Sequence, residues 1–466
     1  MPSSYALRPV TSAETAFNKL TVSCWLKGHA DGTQRSFWGI FDQTSTGRFF
    51  HLYYSSNGSL YGYWKQNEGT FFTLGTTQKF RDPNAWFHFQ MTMDTTLATA
   101  ADRVKFYVNG ERITSFEDSL DTASPFTQNA TCNILSNTDG RMIWGAGKQS
   151  GTLYYWDRYM SHCHMCVGYA YDPTEFGSTD SVTGEWKIKT DVNVNYGTNG
   201  GWWFKDSAAL TDHSTNSNAL TIVGGTLTKS LDNPSNNFAT WNVLSPSGNN
   251  RSMENGNTYI GNNTNNSWNC LYGTLASSTG KFYCEIKDES DWGSTSDSTR
   301  RYGILNLNAA IDQSLASATD VRFSDHNYAY AYMNASGIRH SGSTLTGTTS
   351  THPTFQEGDI IMIAMDLDNN KLYFGKNGTW NNSANPASGA TGTGSVANIA
   401  DGTWTFYAET KYGSDNASVN FGNGFHRTTA VTTNSGNGYA GADGKSIFTY
   451  QPPTGYSALT TLGLNQ

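Results

Sequence analysis

Charge is scarce in this chain. Lys, Arg, Asp and Glu together make up 15% of 466 residues, the formal net charge is −8, and no run of basic residues occurs. A broad phosphate-binding surface needs clustered Lys and Arg, so nucleic acid is excluded as a partner. Long apolar runs are also missing. The longest, Ile360 to Met365, is far too short to span a bilayer, and the opening MPSSYALRPVTSAE lacks the apolar centre of a signal peptide. The expectation is therefore a protein that starts life in a cytoplasm and does not insert into membranes. Six cysteines do not make a disulfide framework, and a cytoplasm would keep them reduced. No sustained 3.6-residue apolar period appears, and the one helix-like fragment, 313–319, is short.

What is present points to strands and turns. Aromatic residues reach 14%, which supplies the apolar area that repays ordering. Asn-Gly occurs at Asn57, Asn109, Asn199, Asn255, Asn377, Asn423 and Asn437, and Asp-Gly at Asp31, Asp139, Asp401 and Asp443. Such pairs supply the positive φ angles of tight hairpins. Between them lie short alternating runs, among them 20–25, 49–54, 60–64, 86–93, 104–108, 282–286, 328–333, 360–365, 372–374 and 404–408. One pattern occurs twice. A strand ends at Asp94, and KFYVNG (105–110) makes the next strand and its turn; a strand ends at Asp366, and KLYFGKNG (371–378) does the same. The expected fold is all-β: two tandem antiparallel β-sandwiches of jelly-roll type. The first spans 1–228, a linker is placed at 229–237 around Pro234, and the second spans 238–466.

The stretches LTVSCWLKG (20–28), FRDPNAWFHFQMTMDTT (80–96), DRVKFYVNGERI (102–113) and DPTEFGSTDSVTGEWKIK (172–189) resemble a LamG-like, concanavalin-like domain. YGTNGGWWFKDSA (196–208) is similar to the connector that follows this domain in marine phage proteins. STGKFYCEIK (278–287), RYGILN (301–306), NYAYAYMNASGIRHSG (327–342), FQEGDIIMIAMDLDNNKLYFGKNGTW (355–380) and SVNFGNGF (418–425) resemble a SPRY domain, and 448–466 is similar to the usual close of this architecture. One stretch departs from the pattern: YYWDRYMSHCHMCVGYA (154–170) replaces a plain apolar strand with an Asp-Gly turn. The resemblance implies a structural protein of a tailed-bacteriophage virion, made in the host bacterial cytoplasm and carried in several copies beside other capsid or tail proteins.

Candidate chemistry is sparse. His162, Cys163, His164 and Cys166 read either as a zinc site or as a strand with buried thiols. Strand alternation puts Cys163 and Cys166 on opposite faces, so the second reading is expected, with no metal and no cofactor. Asp94 and Asp102 flank a loop without the acidic run that a calcium site wants. Glu285 and Glu289 share a strand parity with Lys287 between them, but the tight acidic cluster of a glycosidase is absent, and no Gly-x-Ser-x-Gly elbow occurs. No catalytic residue is assigned, and the expectation is a protein that is not an enzyme. Aromatic rings in polar loops are the binding candidates: Trp292, Trp380 and Tyr412. Sugar rings stack on such faces, while the competing reading folds each ring back onto its own sandwich. The resemblance places the loops 290–298, 378–395 and 411–417 together at one end of the second sandwich. Three readings of function follow: a decoration, fibre or tail protein that binds through its sandwich loops, a host-recognition lectin for surface glycan, and a polysaccharide-degrading enzyme. The missing acidic cluster weighs against the last.

Overall fold

The computed structural model describes residues 4–28, 32–43, 48–67, 70–117, 126–136, 138–206, 210–245, 252–261, 268–290, 298–308, 322–432 and 438–465. The fragment 313–319 lies outside them. Helix is scarce, Thr348–Thr351 being a single turn, and no helix among the described residues is long and apolar enough to cross a membrane. The chain divides into two compact units, 1–229 and 230–466. Each is an antiparallel β-sandwich.

In the first unit a seven-stranded sheet runs in the order Thr221–Val223, Tyr5–Pro9, Gly140–Trp144, Arg35–Asp42, Phe49–Tyr54, Leu60–Asn67, Thr70–Gly75. It faces a six-stranded sheet ordered Gly201–Trp203, Tyr159–Val167, Lys19–Lys27, Trp86–Asp94, Val104–Val108, Glu111–Arg112. Alternation decides which residues meet between them. Leu20, Val22, Cys24 and Leu26 interdigitate with Trp38, Ile40, Phe50, Leu52 and Trp144 in one buried cluster. The Asn109-Gly110 turn takes φ angles of 50° and 81°, the mirror-image hairpin geometry that its sequence announces.

The second unit pairs an eight-stranded sheet, whose central strands are Ala417–Asn420, Lys281–Asp288, Ile360–Asp366 and Lys371–Lys376, with a six-stranded sheet built on Trp404–Thr410, Arg301–Asn306 and Ala329–Met333. Ile286, Ile361, Ile363, Phe374, Tyr302, Ile304 and Phe406 fill the space between.

The outward faces of these sheets are also apolar, and further chain covers them. In the second unit, Tyr283, Met362, Ala364 and Tyr373 point outward and are buried under Phe448, Tyr456 and Ala458 of the C-terminal segment. Cys270, Leu305, Ala329 and Tyr407 on the other sheet lie under Phe323 and Tyr328. In the first unit, residues 169–200 pass over the outward face of the six-stranded sheet and bury Phe176, Val192 and Tyr196 against Cys166 and Trp202.

The segment 229–237, expected as a linker from its proline and polar residues, is engaged with the second unit. Leu231 N–H donates to the Asn423 carbonyl at 3.4 Å, Asn237 N–H donates to Thr461 Oγ1 at 3.0 Å, and Asp232 is buried.

Because each core is closed by its own residues, fragments 1–229 and 230–466 expressed alone should each give a cooperative unfolding transition and β-type circular dichroism. Two unstructured fragments from a chain that folds only when whole would show instead a shared core.

Candidate ligand-binding faces

Strand parity builds an aromatic surface on the outward side of the seven-stranded sheet. In Phe49–Tyr54, residues Phe50, Leu52 and Tyr54 face the core, so Phe49, His51 and Tyr53 face out. In Leu60–Asn67, Leu60 and Trp64 face in with Gly62, so Tyr61 and Tyr63 face out. The two strands pair with Tyr53 directly opposite Tyr61 and His51 opposite Tyr63. The Tyr53 and Tyr61 rings stack with centroids 5.2 Å apart and planes 14° from parallel. His51 lies 4.9 Å from the Tyr53 centroid and 5.7 Å from that of Tyr63, and Phe49 packs 5.3 Å from Tyr63. Tyr53, Tyr61 and Tyr63 are half-buried, whereas His51 is fully enclosed.

Several features hold these rings in place. Tyr61 pairs across the strands with Gly75, and a Cβ there would come within 2.3 Å of the ring, so only glycine lets the ring lie over the neighbouring strand. The Tyr61 hydroxyl donates to Glu117, which also takes the Lys79 ammonium and accepts from Ser59 Oγ at 3.1 Å. On the other flank the hairpin Ala146–Gln149 and Thr152–Tyr155 lies on the sheet, with Gly147 against His51 and Ser36 and the Lys148 ammonium 4.7 Å over the Phe41 ring. Ser36 Oγ meets His51 Nδ1 at 3.2 Å, and burial pushes the imidazole pKa down to about 3, so the ring is neutral at physiological pH. The result is a pre-ordered aromatic floor with a carboxylate and an ammonium at its edge, which suits a sugar ring presenting C–H groups to aromatic faces and hydroxyls to polar neighbours.

This surface was not singled out in the sequence. The signal was present, because FFHLYY (49–54) and LYGYWK (60–65) carry aromatics at both parities of a strand, and one parity must face outward.

Of the loop aromatics, Trp292 lies outside the described residues. Tyr412 is half-buried on the turn 411–415; Asp415 Oδ2 accepts from the backbone N–H groups of Lys411 and Tyr412 at 3.1 and 2.9 Å, and the Lys411 ammonium sits 5.0 Å over the Tyr412 ring. Trp380 folds back onto its own sandwich, its ring edge-on to Tyr283 at 6.1 Å and packed on the cluster under the C-terminal segment. The turn before it lies at the Asp288 end of the sheet, where Asn377 Nδ2 donates to Asp359 Oδ1 at 2.7 Å and the Asp359 carbonyl accepts from the Asp288 N–H at 2.9 Å. Of the three loops expected to gather, residues 291–297 lie outside the described residues. Ser290 Oγ and Asn416 bond each other at 3.2 Å in both directions, joining the start of 290–298 to 411–417. The segment 378–395 starts beside that end and then runs along the outer edge of the sheet, where Pro386 accepts from the Tyr456 hydroxyl at 3.0 Å and a Cβ on Gly392 would meet the Lys371 side chain.

Beside Ser290 and the turn 411–415 lies a buried ion network. Arg300 Nε donates to Asp288 Oδ2 at 2.8 Å, and its Nη1 donates to Asp415 Oδ1 at 3.3 Å. Burial raises the Asp288 carboxyl above its ordinary range even beside the guanidinium.

The other titratable candidates are engaged in the fold. Cys163 packs in the core, while Cys166 lies on the opposite face beneath 169–200, and the strand is bulged between Ser161 and His164, with His162 at a φ of 46°. Asp94 takes Lys19 and Asp102 takes Arg112. Among the described residues no three His, Cys, Asp or Glu side chains converge on a metal position. Glu285 is buried; its oxygens accept from the Tyr283 hydroxyl at 3.0 Å and from the backbone N–H groups of Thr449 and Tyr450 at 2.8 and 2.7 Å. Glu289 accepts from Ser418 Oγ at 2.9 Å and pairs with Lys287.

Residues 3–153 match the profile of the Concanavalin A-like lectin/glucanases superfamily, in its Laminin_G_3 form. No curated protein matches the chain. Solved structures similar to it include the SPRY domain of human HERC1, at 13% identity over 36% of this chain and 91% of that one with a TM-score of 0.28. A heptameric SAP-like pentraxin from Limulus polyphemus shows 11% identity over 47% and 88%, TM-score 0.28. The carbohydrate-binding module CBM40 of a Ruminococcus gnavus IT-sialidase, bound to α2,3-sialyllactose, shows 16% identity over 42% and 91%, TM-score 0.24. At these identities and TM-scores the three bear on neither ligand nor activity.

Replacing Arg300 with Met should cost about 3–5 kcal/mol in urea unfolding, because two buried carboxylates lose their counter-charge. Tyr412→Ala, at a half-buried turn position, should cost no more than about 1 kcal/mol. Equal effects from the two changes would show that the network does not carry this end of the sandwich.

Proposed function

We propose that this chain is a non-enzymatic surface protein of a bacteriophage particle, displayed in several copies, that holds host-surface glycan on the tyrosine-lined face of its first sandwich. The observation that carries the reading is the pre-ordered stack of Tyr53 and Tyr61, half-exposed on a sheet whose match to a lectin-containing superfamily includes both strands. The order of LamG-like and SPRY-like motifs along the chain supports a place on the virion. The engagement of Glu285 and Glu289 in packing supports binding without turnover, since a glycosidase needs both carboxyls free to face the substrate. A single aromatic floor gives modest affinity, and copy number raises it through avidity.

The test is a glycan array probed with the chain on multivalent beads, beside immunogold labelling of purified particles. Tyr53→Ala and Tyr61→Ala should each weaken binding to the same glycans by about tenfold, equivalent to about 1.4 kcal/mol, while the far-ultraviolet spectrum is unchanged. Binding that survives the double variant would move the site elsewhere. Unlabelled particles would remove the virion assignment, and a glycan shortened by the wild type but not by Glu285→Gln would overturn the non-enzyme reading.

A further inference from the structure

The segment 169–200, which covers the outward face of the six-stranded sheet in the first unit, is fastened through two buried imidazoles. The first is His88. The Trp186 indole donates to its Nδ1 at 3.1 Å, and Ser23 Oγ lies 2.7 Å from its Nε2. An indole N–H is only a donor, so Nδ1 must accept, the proton sits on Nε2, and Ser23 receives it. His88 is stacked between the Trp25 ring at 5.4 Å and the Trp186 ring at 5.9 Å. Trp186 enters a slot made for it, since a Cβ on Gly110 or on Gly177 would come within 2.5 or 2.4 Å of the indole. The second imidazole is His164, whose Nδ1 lies 3.0 Å from the Tyr196 hydroxyl and whose ring packs between Phe176 at 4.8 Å and Trp202 at 4.9 Å. Phe176, Trp186 and Tyr196 all belong to the covering segment.

The surroundings of both rings favour the neutral form. Against His88 stand Ser23 and Trp25 from one strand, Asn109 from the neighbouring turn, and Trp186; none carries a negative charge. Facing His164 are His88, His162 and Lys205, each of which opposes a second positive charge, together with the neutral Tyr196 and Cys166. A proton on His88 would put an Nδ1–H against the indole N–H, donor against donor, with no carboxylate among the described residues to compensate.

We infer that residues 172–196 form an acid-released flap: protonation of His88 and His164 lifts it from the sheet while the sandwich beneath stays folded, uncovering Trp25, His88 and His164. The direction follows from linkage. Burial holds the His88 pKa at about 3 in the covered state and lowers that of His164 well below its ordinary value. In the released state both return to the ordinary value of about 6.5. Release therefore takes up two protons, and acid favours it progressively as the pH falls below 6.5.

Hydrogen exchange of the whole chain, followed by mass spectrometry from pH 7 to 4.5 and corrected for intrinsic rates, tests this. The expected result is an opening equilibrium for 172–196 that rises about 100-fold per pH unit below 6.5, while amides of the strand Trp86–Asp94 keep their protection. His88→Asn, which keeps an acceptor and a donor but cannot charge, should reduce the slope to about tenfold per unit. Trp186→Phe, which keeps a ring in the slot but removes the donor, should raise opening several-fold at pH 7 and leave the two-proton slope intact. Loss of protection in 172–196 and Trp86–Asp94 together, at one pH, would replace the flap with global acid unfolding. A slope unchanged in His88→Asn would remove His88 from the switch, and a flap whose opening ignores pH would overturn the proposal.

Discussion

The strands of this protein are apolar on both faces, and that constraint shapes everything built on them. Antiparallel sheets commonly keep one face wet. Here Phe282, Cys284 and Ile286 point into the second sandwich while Tyr283 and Glu285 of the same strand point out, and all are buried. Leaving a ring such as Tyr283 or Tyr373 in water would forfeit on the order of 1.5–3 kcal/mol each. Covering chain is the remedy, and its backbone needs partners in turn. Glu285 supplies them by accepting two N–H groups of the C-terminal segment, which makes a residue of glycosidase type into a fastening.

Both units bury paired charges and neutral imidazoles, with Arg35 and Arg158 on Asp157 in the first and His352 lowered to about 4 by burial in the second, but the emphasis differs. The first relies on neutral imidazoles, His51, His88, His162 and His164 all having pKa values lowered by burial. The second relies on opposite charges held together: Arg300 with Asp288 and Asp415, and Arg301 with Glu409, whose carboxyl also accepts from the Ser324 N–H and hydroxyl at 2.8 and 2.7 Å. Paired charges of this kind add little net stability over apolar packing, but each fixes its neighbours firmly because a partner left alone is costly.

Local chemistry was legible in the sequence and long-range cover was not. The Asn-Gly turn at Asn109, the period-two strands and the opposite facing of Cys163 and Cys166 follow from rules that span a few residues. No such rule brings residues 288, 300 and 415 together, or lays 169–200 over the sheet. Within 229–237, where the two units divide, polar residues beside a proline do not announce that Thr461 and Asn423 will bond them. The tyrosine floor escaped notice because a strand aromatic at both parities does not say which face is outside. For Trp380, whose side chain folds back, the bland alternative described the ring correctly.

The covering segments also set an order of assembly on the ribosome. In the first sandwich, Tyr5–Pro9 lies between Gly140–Trp144 and Thr221–Val223, so the earliest strand waits for the last of its unit. In the second, Phe238 and Ala239 bond Thr460 and Leu459, and Tyr283 bonds Ser457. Each half thus gains its last pairings only when those residues have been made, and such late pairing from afar is a slow kind of folding step. Synthesis completes the first sandwich before the second has all its parts. Two sheet-rich halves that could otherwise trade strands during collapse are thereby kept apart in time.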